Sequence, residues 1–194
     1  MTRSLFCSLF VVGLFNITHG QVISQGKCPD VKILPDFKID PYLGDWYEIF
    51  KFRADFENGQ SCIHANYQKK SDGHIQVLNK GQTSDGKIIT AVGDAYAPDP
   101  KTPGKLAVRF SPVAPYGKYW VLDTDYQSYS LVYSCSDLFG VSHVEFAWIL
   151  SRQRTLNPST TVKLYYIMQS YNISTSNFLT EDQTNCKDYV GIKL

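Results

Sequence analysis

The sequence predicts an all-β domain, a barrel or a sandwich, with one helix near the C-terminal end. Three observations predict it. From Tyr47 onward, short apolar segments alternate with turn residues, clearest at Asp72-Gly73, Asp85-Gly86, 98–104 and 123–127. This places about eight strands at regular spacing, at 45–53, 62–70, 74–83, 87–97, 105–111, 118–123, 128–135 and 143–152. Finally, Gly44-Asp45-Trp46-Tyr47 opens the first strand, Asp123-Thr124-Asp125-Tyr126 marks a late turn, and Phe146-Ala147-Trp148-Ile149-Leu150-Ser151-Arg152 ends the last strand. Trp46 and Arg152, from opposite ends of the array, are suited to stack at one pole by a cation–π contact of about 1–2 kcal/mol. A plug at one pole implies an opening at the other, so the pattern describes a container.

The elements follow in chain order. Residues 1–20 read as a secretory signal: Arg3 gives a positive start, 5–15 form an apolar core too short to span a bilayer, and Thr18-His19-Gly20 places cleavage before Gln21. Residues 21–194 fit one domain with a sizeable core. No later apolar run is long enough to cross a membrane, and 188–194 carry no lipid-anchor signal. After the strands, Asn157 is placed to cap a helix, Pro158 suits its first turn, and Leu164, Ile167, Met168 and Tyr171 recur at helical spacing, a stripe to pack on the sheet.

Alternation assigns faces. Val144, Phe146, Trp148, Leu150 and Arg152 share one face of the last strand and are read as inward, with His143, Glu145 and Ser151 outward. Tyr129, Leu131 and Tyr133 are read inward against Ser128, Ser130 and Ser134, and Ile63, Ala65 and Tyr67 inward against His64, Asn66 and Gln68. Trp46 is in phase with Glu48, which points to a bulge. The inward set mixes the rings of Tyr67, Phe110, Tyr129 and Trp148 with small Ala65. Aromatic walls with a few polar tips suit one flat apolar molecule; the alternative is a filled core.

Charge and cysteines exclude several classes. Basic and acidic residues balance once Arg3 leaves with the signal, and no basic block exists, so nucleic acid is not an expected partner. Of the five cysteines, Cys7 leaves with the signal. Cys28, Cys62, Cys135 and Cys186 read as two disulfides with three pairings open, and no Cys-x-x-Cys or close Cys-His spacing suggests a metal site. With every thiol paired, and with His64, His74 and His143 outside any nucleophile motif, no catalytic residue is assigned and the chain is not expected to be an enzyme. Asp123 and Asp125 are read as turn caps. Asn172-Ile173-Ser174 is a glycosylation acceptor, whereas the proline of Asn157-Pro158-Ser159 disqualifies that site.

The chain resembles the lipocalins, and within them the branch of apolipoprotein D, Lazarillo and insect bilin-binding proteins. The resemblance rests on the three ordered segments above, on the four cysteines, and on Gly26-Lys27-Cys28-Pro29, Tyr42-Leu43-Gly44-Asp45-Trp46-Tyr47-Glu48-Ile49, Ala65-Asn66-Tyr67, Trp120-Val121-Leu122 and Leu131-Val132-Tyr133-Ser134-Cys135. It implies an eight-stranded antiparallel up-and-down barrel with one C-terminal helix on its side. It implies the pairing Cys28–Cys135 and Cys62–Cys186, and barrel closure by Trp46 and Arg152. It also implies a ligand cavity lined by Tyr42, Tyr67, Asn79, Phe110, Trp148 and Leu150. The loop 111–118 lacks the bulky apolar tip of the mammalian relatives, and Asp137 stands where they carry a free cysteine. The implied function is secreted, extracellular binding and transport of a small hydrophobic ligand such as a lipid, sterol, retinoid or fatty acid, with no required cofactor. The alternatives are a pigment protein holding biliverdin non-covalently and a secreted factor acting on a cell-surface receptor.

Overall fold

The computed structural model describes residues 21–187; the expected signal and its cleavage point lie outside them. The elements are β1 (Val22–Gln25), α1 (Ile39–Tyr42), β2 (Gly44–Phe52), β3 (Gln60–Lys69), β4 (Ile75–Thr83), β5 (Ile88–Tyr96), β6 (Lys105–Arg109), β7 (Gly117–Thr124), β8 (Tyr129–Leu138), β9 (Ser142–Ser151), α2 (Pro158–Ser170) and β10 (Phe178–Thr180). Each strand from β2 to β9 pairs antiparallel with the next, and β9 pairs back with β2, closing an eight-stranded barrel. The closing pairs take Trp148–Ser151 of β9, and β3 takes Gly44–Tyr47 of β2, so Ser142–Glu145 of β9 and Phe50–Phe52 of β2 keep an edge to be covered. β1 and β10, which the sequence pattern does not announce, add to the outside of β9 and β2. Both are short, and neither alternates strongly enough to be read as a strand in isolation.

Two apolar cores result. One lies within the barrel toward the β2 start, around Phe37, Tyr42, Trp46, Leu106, Val121 and Val132. The other lies outside the barrel, between its wall and α2, around Leu131, Tyr133, Ile149, Leu164 and Met168. The second core corrects the face assignment of β8. Tyr129, Leu131 and Tyr133 point outward into the α2 core, while Val132 packs in the barrel core, Ser134 lines the cavity, and Ser130 bonds to Tyr42 in the interior. The physical reason is that a strand covered by a helix has two buried faces, so alternation separates the faces without saying which is inside. The same cover buries Glu145: it is outward, as its phase predicts, yet only 3 % exposed, accepting hydrogen bonds from Ser24 Oγ and Tyr133 OH at 2.8 Å.

The helix begins where its sequence says. Asn157 Oδ1 accepts the Ser159 N–H at 2.9 Å, with Pro158 in the first turn. It ends at Ser170; two residues on, Asn172 takes a φ of 59°, a left-handed conformation asparagine tolerates, and Ile173 N–H then returns to the Met168 carbonyl at 3.1 Å and buries its side chain. Lys163 fastens α2 to the barrel, 2.7 Å from Asp123 Oδ2. Asp123 is thus a helix anchor, whereas Asp125 caps the turn as expected, accepting from the N–H groups of Gln127, Ser128 and Tyr129.

The structure joins Cys28 to Cys135 and Cys62 to Cys186. The first ties the N-terminal segment to β8, the second ties the segment after β10 to β3.

Candidate functional site

The barrel is closed at the pole where β2 begins. Arg152, one residue past β9, lays its guanidinium 3.7 Å from the Trp46 ring centroid. The same group donates to three backbone carbonyls, those of Tyr126 (3.0 Å), Asp45 (2.7 Å) and Pro41 (2.9 Å). Gly44 adopts φ +90° beneath it, a conformation side-chain-bearing residues rarely adopt. Trp46 in turn donates its indole N–H to the Tyr42 carbonyl at 2.8 Å. One side chain therefore holds α1, β2 and the β7–β8 turn together. Arg152→Ala is expected to lower stability by about 2–3 kcal/mol through lost charge-assisted hydrogen bonds and stacking. Urea denaturation checks this, and an unchanged midpoint would remove Arg152 from its closing role.

Above the plug lies a floor of phenols. Tyr119 OH shares hydrogen bonds of 2.9 Å with both Tyr42 OH and Tyr67 OH, and Tyr42 OH shares another with Ser130 Oγ. Burial pushes the Tyr42 phenol to about 12 and raises those of Tyr67 and Tyr119 as well. The floor is therefore neutral, and its hydroxyls satisfy one another.

The floor and the strands enclose a cavity of about 250 Å³, just below the range of about 300–1,000 Å³ usual for small-molecule pockets. Tyr42, Tyr67, Asn79, Phe110, Trp148 and Leu150 all line it. Tyr129 does not, because of the inverted face of β8. Phe146 and Trp148 stack in parallel, centroids 5.8 Å apart, and Phe56 closes on Phe146 at 6.0 Å near the mouth. Phe56 and Phe110 remain 59 % and 44 % exposed at the rim.

The wall also holds a group of charges that sequence reasoning missed. Glu48 and Glu57 line the cavity. With Glu181 they surround Lys51 Nζ at 3.0, 3.2 and 3.0 Å, every side chain at most one-tenth exposed. A bulge exists in β2, but it falls between Glu48 and Phe50. It therefore leaves Trp46 and Glu48 on the same inward face and brings Lys51, paired with Trp148, to that face too. The available signal was the shared phase of Trp46 and Glu48, taken literally. Burial, then Glu57, push the Glu48 carboxyl well above the ordinary range; burial also raises Glu57 and Glu181. Burial alone would lower Lys51, but the three carboxylates outweigh it and hold the ammonium above its usual range. Among the described residues no three His, Cys, Asp or Glu side chains converge as a metal ion would need; the glutamates converge on Lys51.

The histidines are dispersed. His64 lies 2.9 Å from Asp45, His74 2.7 Å from Asp94, and His143 2.9 Å from the Gly26 carbonyl. His64 and His143 are buried, and neither lines the cavity. Cys28 and Cys135, at the core against α2, and Cys62 and Cys186 are joined in disulfides, and none of the four lines the cavity.

Comparison with known proteins agrees with this architecture. The family described as a lipocalin-like domain matches residues 37–183. Apolipoprotein D of Rattus norvegicus is 42% identical over 98% of this chain and 100% of its own length. The Lazarillo protein of Schistocerca americana is 29% identical over 89% of this chain and 86% of its own. Among solved structures, insecticyanin from the tobacco hornworm Manduca sexta superposes with a TM-score of 0.73 at 30% identity, over 84% of this chain and 89% of that one. The barrel, its Trp46–Arg152 closure and these relatives together show that the chain belongs to the lipocalin family.

Proposed function

We propose that this lipocalin is a secreted, extracellular carrier that binds one small hydrophobic ligand in its barrel and performs no chemistry on it. The observation that supports this best is the cavity itself: apolar and aromatic walls, a neutral floor whose phenols already satisfy one another, and one sealed pole. Such a site gains from removing apolar surface from water, and among the described residues its lining holds no cysteine. Tyr42, Tyr67, Asn79, Phe110, Trp148 and Leu150 are the ligand-contacting residues in this reading.

Trp148 reports on occupancy. Titration with retinoids, sterols, fatty acids and biliverdin is expected to quench tryptophan fluorescence saturably, the best ligand near micromolar, or about 8 kcal/mol. Trp148→Ala is expected to weaken that ligand by roughly tenfold or more, since it removes one of the largest apolar walls. Glu145 is unsuitable as a control because it is buried and doubly bonded. Tyr166, exposed on α2, serves instead, and Tyr166→Ala is expected to leave affinity unchanged. Equal behaviour of the two variants, or no binding at all, would overturn the carrier reading. A visible absorption band appearing only with biliverdin would favour the pigment reading.

Asn172 is exposed and is the proposed glycosylation site. It lies just beyond α2 and is not one of the residues lining the cavity. Treatment of the secreted protein with an N-glycan-removing enzyme is expected to lower its mass; no shift, in a host that glycosylates, means the site is silent.

A further inference from the structure

The barrel wall is broken beside β5. β4 pairs with β5 from Ile88 to Ala95, but β6 pairs only with Asp94–Tyr96. Among the described residues no strand meets Ile88–Gly93 on the β6 side. Phe110, the first residue after β6, stands at this break. Its ring lies on Gly93. A Cβ there would come within 2.8 Å of the ring and 2.9 Å of the Arg109 carbonyl oxygen, so only glycine leaves the ring its place. Outside the break lies a groove of about 320 Å³, whose walls include Gln76, Val92, Arg109, Ser111 and Pro112. Phe110 lines both this groove and the barrel cavity, and it alone among the described residues does so. One half-exposed ring therefore separates two spaces, and the inner one, at about 250 Å³, is small for a long-chain ligand.

The groove also carries a cation without an acid partner. Arg109 stands opposite Asp94 in the β5–β6 register, the place for a cross-strand ion pair. The pair does not form. Asp94 Oδ1 accepts from Lys70 Nζ at 2.8 Å, and Oδ2 meets His74 Nδ1 and Tyr116 OH, both at 2.7 Å. Burial works to raise the Asp94 carboxyl, but the hydrogen bonds from Lys70, Tyr116 and His74 hold it well below the usual range. Lys70 is engaged as well, shared between Asp94 and Asp72. Arg109 instead lies over the Tyr116 ring at 4.5 Å and donates to the Pro112 carbonyl at 3.2 Å. It pairs with no carboxylate among the described residues. A guanidinium has five N–H donors in a fork that fits a carboxylate or a phosphate, so most of this one's capacity is open.

We propose, building on the carrier reading, that the break beside β5 is a side exit of the barrel gated by Phe110, and that the groove beyond it is a second subsite: a single-chain amphiphile lies with its chain in the cavity and its anionic head on Arg109. With the ring turned aside, the chain crosses over Gly93, where the missing side chain leaves room, and passes between Val92 and Pro112. The guanidinium receives from the ligand the acid that its own register partner withholds. The head keeps water on the open side of the groove, so its charge is not carried into the apolar cavity.

The probes are hexadecanoic acid and 1-hexadecanol, which share a chain, with all-trans-retinol as a reference for the barrel; tryptophan fluorescence of the secreted protein reads affinity. Arg109→Gln is expected to weaken the acid about tenfold and to leave the alcohol within about twofold. Val92→Asp changes an exposed strand position on the groove and adds a like charge. It is expected to weaken the acid severalfold, again sparing the alcohol, and it keeps the test open if Arg109→Gln does not fold. Phe110→Ala removes the gate and is expected to speed association of both probes severalfold in stopped flow. An acid unmoved by the charge variants, acid and alcohol weakened alike, an unchanged entry rate in Phe110→Ala, or an acid that does not bind each overturns this inference. With retinol still bound, the carrier reading stands in all of those cases. If retinol, the sterols and biliverdin also fail to bind, the carrier reading itself falls and this inference with it.

Discussion

Lys51→Met is expected to destabilise the protein by about 3–5 kcal/mol at pH 8 and by distinctly less at pH 5. The substitution preserves length and apolar contact but removes the ammonium that Glu48, Glu57 and Glu181 surround, each within 3.2 Å of it. Ionised carboxyls without a cation are costly in a buried site, so the variant must hold them protonated. The sign follows from proton linkage. Burial raises these carboxyls in the folded state above their ordinary value of 4.5. Between that value and the raised one, the folded state binds protons the unfolded state has lost, so stability falls as pH rises. Each proton of difference contributes a slope of about 1.4 kcal/mol per pH unit. The wild type shows part of this slope through Glu48, and Lys51→Met steepens it. His64, lowered by burial, contributes with the opposite sign below pH 6.5, where the unfolded imidazole gains a proton that the folded one refuses. That contribution cancels when variant and wild type are compared at each pH by urea denaturation. A loss independent of pH would show that the carboxylates do not depend on Lys51.

The double variant Cys28→Ser with Cys135→Ser is expected to lose up to about 4–5 kcal/mol. Its loop spans 107 residues, and the chain-entropy model assigns about 4.7 kcal/mol to a loop of that size. Neither cysteine lines the cavity. The surviving folded protein is therefore expected to bind its ligand with unchanged affinity while its thermal midpoint falls steeply. The Cys62–Cys186 link closes 124 residues and has nearly the same entropic worth, because the dependence on length is logarithmic. It differs in what it holds: Cys186 follows the segment that carries Glu181, so its loss is expected to loosen the ion cluster as well. A change below about 1 kcal/mol on removing Cys28–Cys135 would mean that the unfolded chain is compact enough to need no such constraint.

The sequence by itself determined the all-β class, the strands that build the barrel and the helix with its Asn157 cap, because alternation, turn residues and capping are local properties. It also determined the Trp46–Arg152 closure and the lining residues Tyr67, Trp148 and Leu150, since each lies on a strand with a clear apolar phase. Tyr42, Asn79 and Phe110 were legible mainly through family resemblance, although Phe110 also stood in the inward aromatic set: Tyr42 sits on a single helical turn, Phe110 lies just past the end of β6, and a polar Asn79 looks outward by its chemistry. Tertiary structure alone decided the rest. Alternation is symmetric, so the side of β8 that faces the cavity was settled by where α2 lies, and Tyr129 fell on the other side from the one its rings suggested. β1 and β10 exist because barrel edges elsewhere offer them partners, not because their residues favour strands. Lys51, Glu48, Glu57 and Glu181 meet because a one-residue bulge turns Lys51 inward and the segment after β10 returns across β2 and β3. A buried cluster assembled from three distant segments is a matter of register and closure, and those are properties of the whole barrel.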